Sequence, residues 1–188
     1  MEPFAIIEDF FSAIPLPHYR KYIFSMLKAA NSKKYWKKED PGSLLYFQKK
    51  LSDLMGAAHL LNLKANRVNG KKSKASIAPA ELDRETIDPS LYMDKNLLHI
   101  QWEVFPRSLS KKEFLDPYLA FKHFFRNRNL KVWRRDLEEM IFYALSPHDS
   151  AEDLLDLKFL EINGLLQKLV EAAHLIWIRE INPAQEKT

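Results

Sequence analysis

Apolar residues recur along this chain at helical spacing, and they do so twice in the same order. Leu16, Tyr19, Ile23, Met26/Leu27 and Ala30 form one stripe, and Leu130, Trp133, Leu137, Met140/Ile141 and Ala144 form another. A second pair of stripes comprises Phe47, Leu51, Leu54, Ala58 and Leu61, then Ile162, Leu166, Leu169, Ala173 and Ile176. Residues at this spacing stack on one side of an α-helix, so all four segments are predicted to be amphipathic helices. Four acid–proline steps punctuate the pattern: Glu2-Pro3, Asp40-Pro41, Asp88-Pro89 and Asp116-Pro117. An acidic cap accepts free backbone N–H groups, and proline at the first helical position loses no hydrogen bond. Helices are therefore predicted from Pro3 to about Phe11, Pro17–Ser32 and onward from Pro41. Their counterparts run from Pro117 to about Phe125, Lys131–Ser146 and onward from the capping sequence Ser150–Asp153.

The two sets align residue by residue. At an offset of 114, Glu2–Ser32 faces Asp116–Ser146 with eight of 31 positions identical, including Phe10/Phe124, Phe11/Phe125, Arg20/Arg134 and Met26/Met140. At an offset of 115, Leu44–Leu63 faces Phe159–Ile178 with seven of 20 identical, including Ala57-Ala58-His59-Leu60 against Ala172-Ala173-His174-Leu175. The expected fold is all-α: a tandem duplication of a three-helix unit, about six main helices, with an irregular connector. The long helices of each copy are expected to pack antiparallel, and the copies to face each other across a pseudo-two-fold or stacked interface. The copies are expected at residues 1–64 and 113–180, with a connector at 65–112 and a tail at 181–188. Within the connector, residues 66–76 are polar and basic, and residues 89–105 fit either a helix or a strand. Ser110-Lys-Lys-Glu113 reads as a capping box leading into the second copy.

Composition narrows the function. There are 188 residues, with a net charge of +4, four glycines and no cysteine. Well-separated glycines exclude glycine-rich phosphate loops, and the lack of cysteine excludes disulfides, thiol nucleophiles and thiolate metal sites. Residues 1–11 carry three acids and no basic stretch, so a signal peptide is not expected. No apolar run is long enough to span a bilayer, and cytoplasmic residence without membrane contact is the default expectation.

Two matched pairs stand out. His59 and His174 share a repeat position, and Glu171-Ala-Ala-His174 has the Glu-x-x-His spacing of metal-binding bundles. Gly56 stands where the other copy would need its glutamate, so both histidines are expected to be structural, packed at an interface with a nitrogen bonded to a neighbouring helix. Arg20 and Arg134 each follow an aromatic, and both are expected to form fold-fixing ion pairs, with Glu2, Asp116, Glu8 or Asp9 as candidate acids. No catalytic, cofactor-binding or metal-binding set is assigned.

Three basic stretches remain. Lys33, Lys34, Tyr35, Trp36, Lys37 and Lys38 interleave cations with aromatics, as single-strand binders do. Lys71, Lys72 and Lys74 form the second stretch, and Arg126, Arg128, Lys131, Arg134 and Arg135 the third. Trp36 in its basic loop is expected to be exposed and to anchor a partner. His148-Asp149-Ser150 has the letters of a catalytic triad, but chain neighbours cannot adopt that geometry. The first functional expectation is a non-enzymatic interaction or scaffold protein that binds a partner protein in grooves between helices. The alternative is a nucleic-acid-associated protein using the basic stretches, and the weakest is a metal-dependent enzyme around His174 and Glu171.

Overall fold

A computed structural model describes residues 2–32, 36–37, 39–67, 75–78, 102–126, 128–146 and 159–181. Every regular element among them is helical. The helices are α1 (Pro3–Ala13), α2 (Leu16–Ala30), α3 (Pro41–Arg67), α4 (Lys111–Leu115), α5 (Tyr118–Phe124), α6 (Leu130–Leu145) and α7 (Phe159–Ile176). A 3-10 turn occupies Trp102–Val104, and the end of α7 widens into a π-helical turn at Trp177–Ile181.

The punctuation read from the sequence does much of what it promised. The Asp40 carboxylate accepts the Ser43 N–H at 3.1 Å and the Ser43 hydroxyl at 2.6 Å, at the mouth of α3. Ser110 and Glu113 form a reciprocal capping box on α4. The Asn129 side chain caps α6 by accepting from Val132 N–H at 3.0 Å. Glu2 makes no side-chain cap, so α1 starts on the geometry of Pro3 alone. The readings at Asp88-Pro89, Lys71–Lys74 and His148–Asp153 lie outside the described residues, as does most of 89–105.

One apolar cluster draws on α1, α2, α3, α5, α6 and α7. Its centre holds two aromatic clasps. Tyr19 stacks on Phe10 with ring centroids 3.8 Å apart and planes 13° apart, and its hydroxyl donates to the Phe10 carbonyl oxygen at 2.6 Å. Burial pushes the Tyr19 hydroxyl far up, so it stays a donor. Trp133 stacks on Phe124 at 4.2 Å and 12°, and its Nε1 donates to the Phe124 carbonyl oxygen at 3.1 Å. In both clasps a buried polar atom finds the carbonyl nine residues earlier, so large rings are buried without stranding a donor.

The long helices do not pack as expected. α2 lies mainly against α6 and α7, while α3 lies against α1, α6 and α5. The expected pairing of α2 with α3 is replaced by α2 with α7 and α3 with α6. The reason lies in the short helices. α1 fills part of the apolar face of α3, and α5 does the same for α7. The remaining width of each stripe then turns toward the other half of the chain.

Candidate interaction face

The histidines pack as a crossed pair. The His174 ring meets Phe11 of α1 edge-on at 5.1 Å, and the His59 ring meets Phe125 edge-on at 5.0 Å. Among the described residues neither Nδ1 has a hydrogen-bond partner. The Nδ1 atoms thus make no bond to a neighbouring described helix, and the rings are packed by aromatic contact. Burial, together with the nearby Arg20 charge, lowers the pKa of His174 to about 3, so its imidazole is neutral. Among the described residues no three His, Asp or Glu side chains gather as metal ligands. The Glu171 carboxylate is turned to other work.

Glu171 is fully buried and receives three donors. Arg20 Nη2 reaches Oε1 at 2.6 Å, while the backbone N–H groups of Arg107 and Ser108 reach Oε2 at 3.0 and 2.8 Å. Arg20 also donates to the carbonyl oxygens of Glu103 and of Phe105, the latter at 2.6 Å. The partner of Arg20 is therefore none of the acids expected from the sequence. Asp9 pairs with Lys50 at 2.5 Å, Asp116 accepts the Tyr118 N–H at 3.2 Å, and Glu2 stands 3.9 Å from Lys64. A buried carboxylate is costly unless every lone pair is used, and one guanidinium with two amides supplies that.

These bonds strap a stretch of connector onto α7. Val104, Phe105, Leu109 and Phe114 pack over Leu175 and Ile178, which are 0% and 5% exposed. Arg179 continues the strap by donating to the carbonyl oxygens of Ala75 and Phe114 at 3.0 and 2.7 Å. Glu180 accepts from Ala75 N–H at 2.6 Å and the Tyr118 hydroxyl at 3.0 Å.

The matching positions on α3 look different. Leu60 and Leu63 align with Leu175 and Ile178, yet they are 45% and 40% exposed. Gly56 aligns with Glu171, Lys64 with Arg179, and Arg134 with Arg20. Arg134 still points at the matching place, because a Cβ on Gly56 would lie 3.0 Å from its Nη2. Arg134 is exposed, and among the described residues it forms no salt bridge. Arg20 forms its ion pair with Glu171, whereas on α3 the aligned acid is replaced by a glycine.

Trp36 is also a correction. It is 5% exposed, its backbone N–H donates to the Ala144 carbonyl oxygen at 2.7 Å, and its ring lies 5.9 Å from Tyr22. These contacts tie Trp36 to the end of α6 and carry its indole inward, so Trp36 is not an exposed anchor. Lys37 beside it is exposed, while Lys33, Lys34, Tyr35 and Lys38 lie outside the described residues.

In the third basic stretch, Arg128 pairs with the buried Asp136 and lies over the Trp133 ring at 5.7 Å. Arg135 reaches Asp136 at 3.1 Å. Arg126 and Lys131 are exposed. A pocket of about 270 Å³ opens between Arg126, Arg128, His123, Lys168, Glu161 and Trp133. Its positive charge is largely spent on buried acids: besides Arg128 on Asp136, His123 and Lys168 both bind Glu113, at 2.8 and 3.0 Å. Burial acts against the Glu113 carboxylate, but bonds from His123, Ser110 and Lys168 outweigh it and bring its pKa down to about 2.

Sequence reasoning missed the buried ion pairs of Glu171 and Asp136, and of Glu113 it read the cap but not the bonds from His123 and Lys168. A signal for Glu171 was present in the aligned segments, where it faces Gly56 directly before the matched Ala-Ala-His-Leu run. No described helix is long and apolar enough to cross a membrane. Comparison with protein-family models, curated proteins and solved structures finds no match to this chain.

Proposed function

We propose that this chain is a duplicated three-helix module that works as a non-enzymatic interaction protein, docking a partner protein along the groove between α3 and α6. Residues 1–64 and 113–180 are its two copies. The crossed pairs Phe11–His174 and Phe125–His59 support the duplication, as do the two aromatic clasps at matched positions. The crossed pairs relate one half to the other as a two-fold rotation would.

One observation carries the functional reading. The same helix face is covered by chain on α7 and bare on α3, although its apolar residues are kept at both places. Leu60 and Leu63 flanked by Lys64 and Arg134 make an apolar strip between cations, the composition of a peptide-binding groove.

The test is a photo-crosslinking amino acid placed at position 60 in cells, with position 175 as the buried control. The reading expects one identified partner crosslinked at 60 and not at 175. Its binding to purified protein should be lost in the Leu60→Glu/Leu63→Glu double variant while thermal unfolding is unchanged. Crosslinking to a partner only from positions 126 and 131 would contradict it. So would binding by the double variant at wild-type affinity.

A further inference from the structure

The covered face of α7 is an internal template for what the bare face of α3 accepts, and we infer that α3 and α6 bind an extended peptide segment that brings its own carboxylate to Arg134. This rests on the docking reading above and specifies the chemistry of the partner.

Three parts hold the strap on α7. Apolar side chains cover Leu175 and Ile178. Backbone carbonyls of the strap accept from Arg20. The Glu171 carboxylate then joins Arg20 to the strap's own N–H groups. On α3 the first two parts are in place: Leu60 and Leu63 are exposed, and Arg134 stands beside them. Only the carboxylate is missing, because position 56 is glycine. The Arg134 guanidinium lies against the place a Cβ at position 56 would take and is itself exposed, so an acid from outside can reach it, and a guanidinium is the side chain best suited to grip one in two-point fashion. Lys64, in the place of Arg179, adds a second cation at the far end of the strip. The segment that fits is therefore acidic and apolar, with an aliphatic or aromatic pair spaced to cover Leu60 and Leu63. A polyanion without apolar side chains would leave the leucines bare.

The probe is a fluorescent peptide of residues 103–115 with Arg107→Glu, Lys111→Gln and Lys112→Gln. It keeps the apolar residues that cover α7 and places an acid where the strap meets Glu171. Its anisotropy is read against the purified full chain. The proposal expects saturable binding that weakens at least tenfold in Arg134→Ala and is only partly restored in Arg134→Lys, which keeps the charge but not the two-point grip. It also expects at least tenfold weakening in Gly56→Glu, which supplies the acid from within the chain. The unmodified, basic peptide should bind at least tenfold more weakly than the acidic one.

Equal affinity of wild type, Arg134→Ala and Gly56→Glu, with loss in Leu60→Asp, would overturn the carboxylate inference and leave the docking face standing. Equal affinity in all variants, or no saturation up to about 1 mM, would overturn both. Circular dichroism on each variant separates loss of binding from loss of fold. Sedimentation that shows a dimer competing with the peptide would assign the face to a second copy of this chain and overturn the inference.

Discussion

The outer faces of α7 and α3 are built from aligned residues and meet different fates. On α7 an acid is buried, a strap of chain lies over two aliphatic residues, and Arg20 closes the structure. On α3 a glycine replaces the acid, the aliphatic residues face solvent, and Arg134 has no salt bridge among the described residues. Within this block, Glu171 against Gly56 accounts for most of the contrast. A buried carboxylate must be surrounded by donors, and the cheapest donors here are the backbone amides of a chain segment. The acid and the strap therefore require each other, whereas a glycine requires neither. Two aligned helix faces can in this way differ, one sealed for stability and the other left exposed.

The sharpest way to break this comparison is to remove the acid. Glu171→Ala strands a half-buried guanidinium and two strap amides, and about 3–5 kcal/mol of unfolding free energy should be lost. Urea denaturation measures it, and proteolysis should cut near residues 103–108 in the variant before it cuts the wild type. A loss below about 1 kcal/mol would mean that the strap is held by its apolar contacts alone.

Acid should act on the same region. His174 takes up a proton in the fold only near pH 3, whereas the unfolded chain does so near 6.5. Its contribution to stability is complete above pH 6.5 and falls by up to about 1.4 kcal/mol per pH unit below it. Glu113 titrates near 2 in the fold against 4.5 unfolded, so its contribution is full above 4.5 and is lost from there toward 2. Between pH 6.5 and 4.5 the slope from these two groups belongs to His174, and His174→Gln should flatten it. An unchanged slope in that window would remove the histidine from the account.

The two clasps give a gentler test. Tyr19→Phe and Trp133→Phe each remove one buried donor from a carbonyl and keep a ring in place. Each should cost about 1 kcal/mol for the hydrogen bond, with more from the smaller ring at Trp133. A negligible cost at one and several kcal/mol at the other would argue against equivalent packing roles.

The smallest expected effect is a gain. Gly56→Glu restores on α3 the acid that α7 has, and should stabilise the fold by about 1 kcal/mol from helix propensity plus an exposed ion pair with Arg134. The guanidinium lies at the end of a flexible side chain and can yield the few tenths of an ångström required. Destabilisation by calorimetry would show that Arg134 is fixed by something other than its place beside position 56.

What the sequence made legible follows from how local each signal is. The acid–proline steps and apolar stripes act within one turn of helix, and they located α1, α2, α3, α5 and α6 to within a residue or two at most of their ends. The matched aromatics Phe10/Phe124 and Tyr19/Trp133 were readable because they fall at aligned positions of the sequence. Long-range partners were not readable. Glu171 lies 151 residues from Arg20 and has no counterpart in the first copy. Asp116, which looked like an ion-pair partner, is used up by the N–H of Tyr118. Trp36 misled because a basic flank suggests exposure, whereas the end of α6 accepts its N–H and Tyr22 of α2 meets its ring. The exposed face of α3 drew no notice because Leu60 and Leu63 fall outside the Phe47–Leu61 stripe, and only the burial of Leu175 and Ile178 on α7 sets them apart.

The most direct measurement is methyl NMR of the full chain titrated with the acidic peptide. The account predicts that the Leu60 and Leu63 methyl resonances shift progressively while those of Leu175 and Ile178 stay fixed beneath the strap. Shifts confined to Leu175 and Ile178, or changes centred on residues 126–131 with Leu60 and Leu63 unmoved, would contradict it.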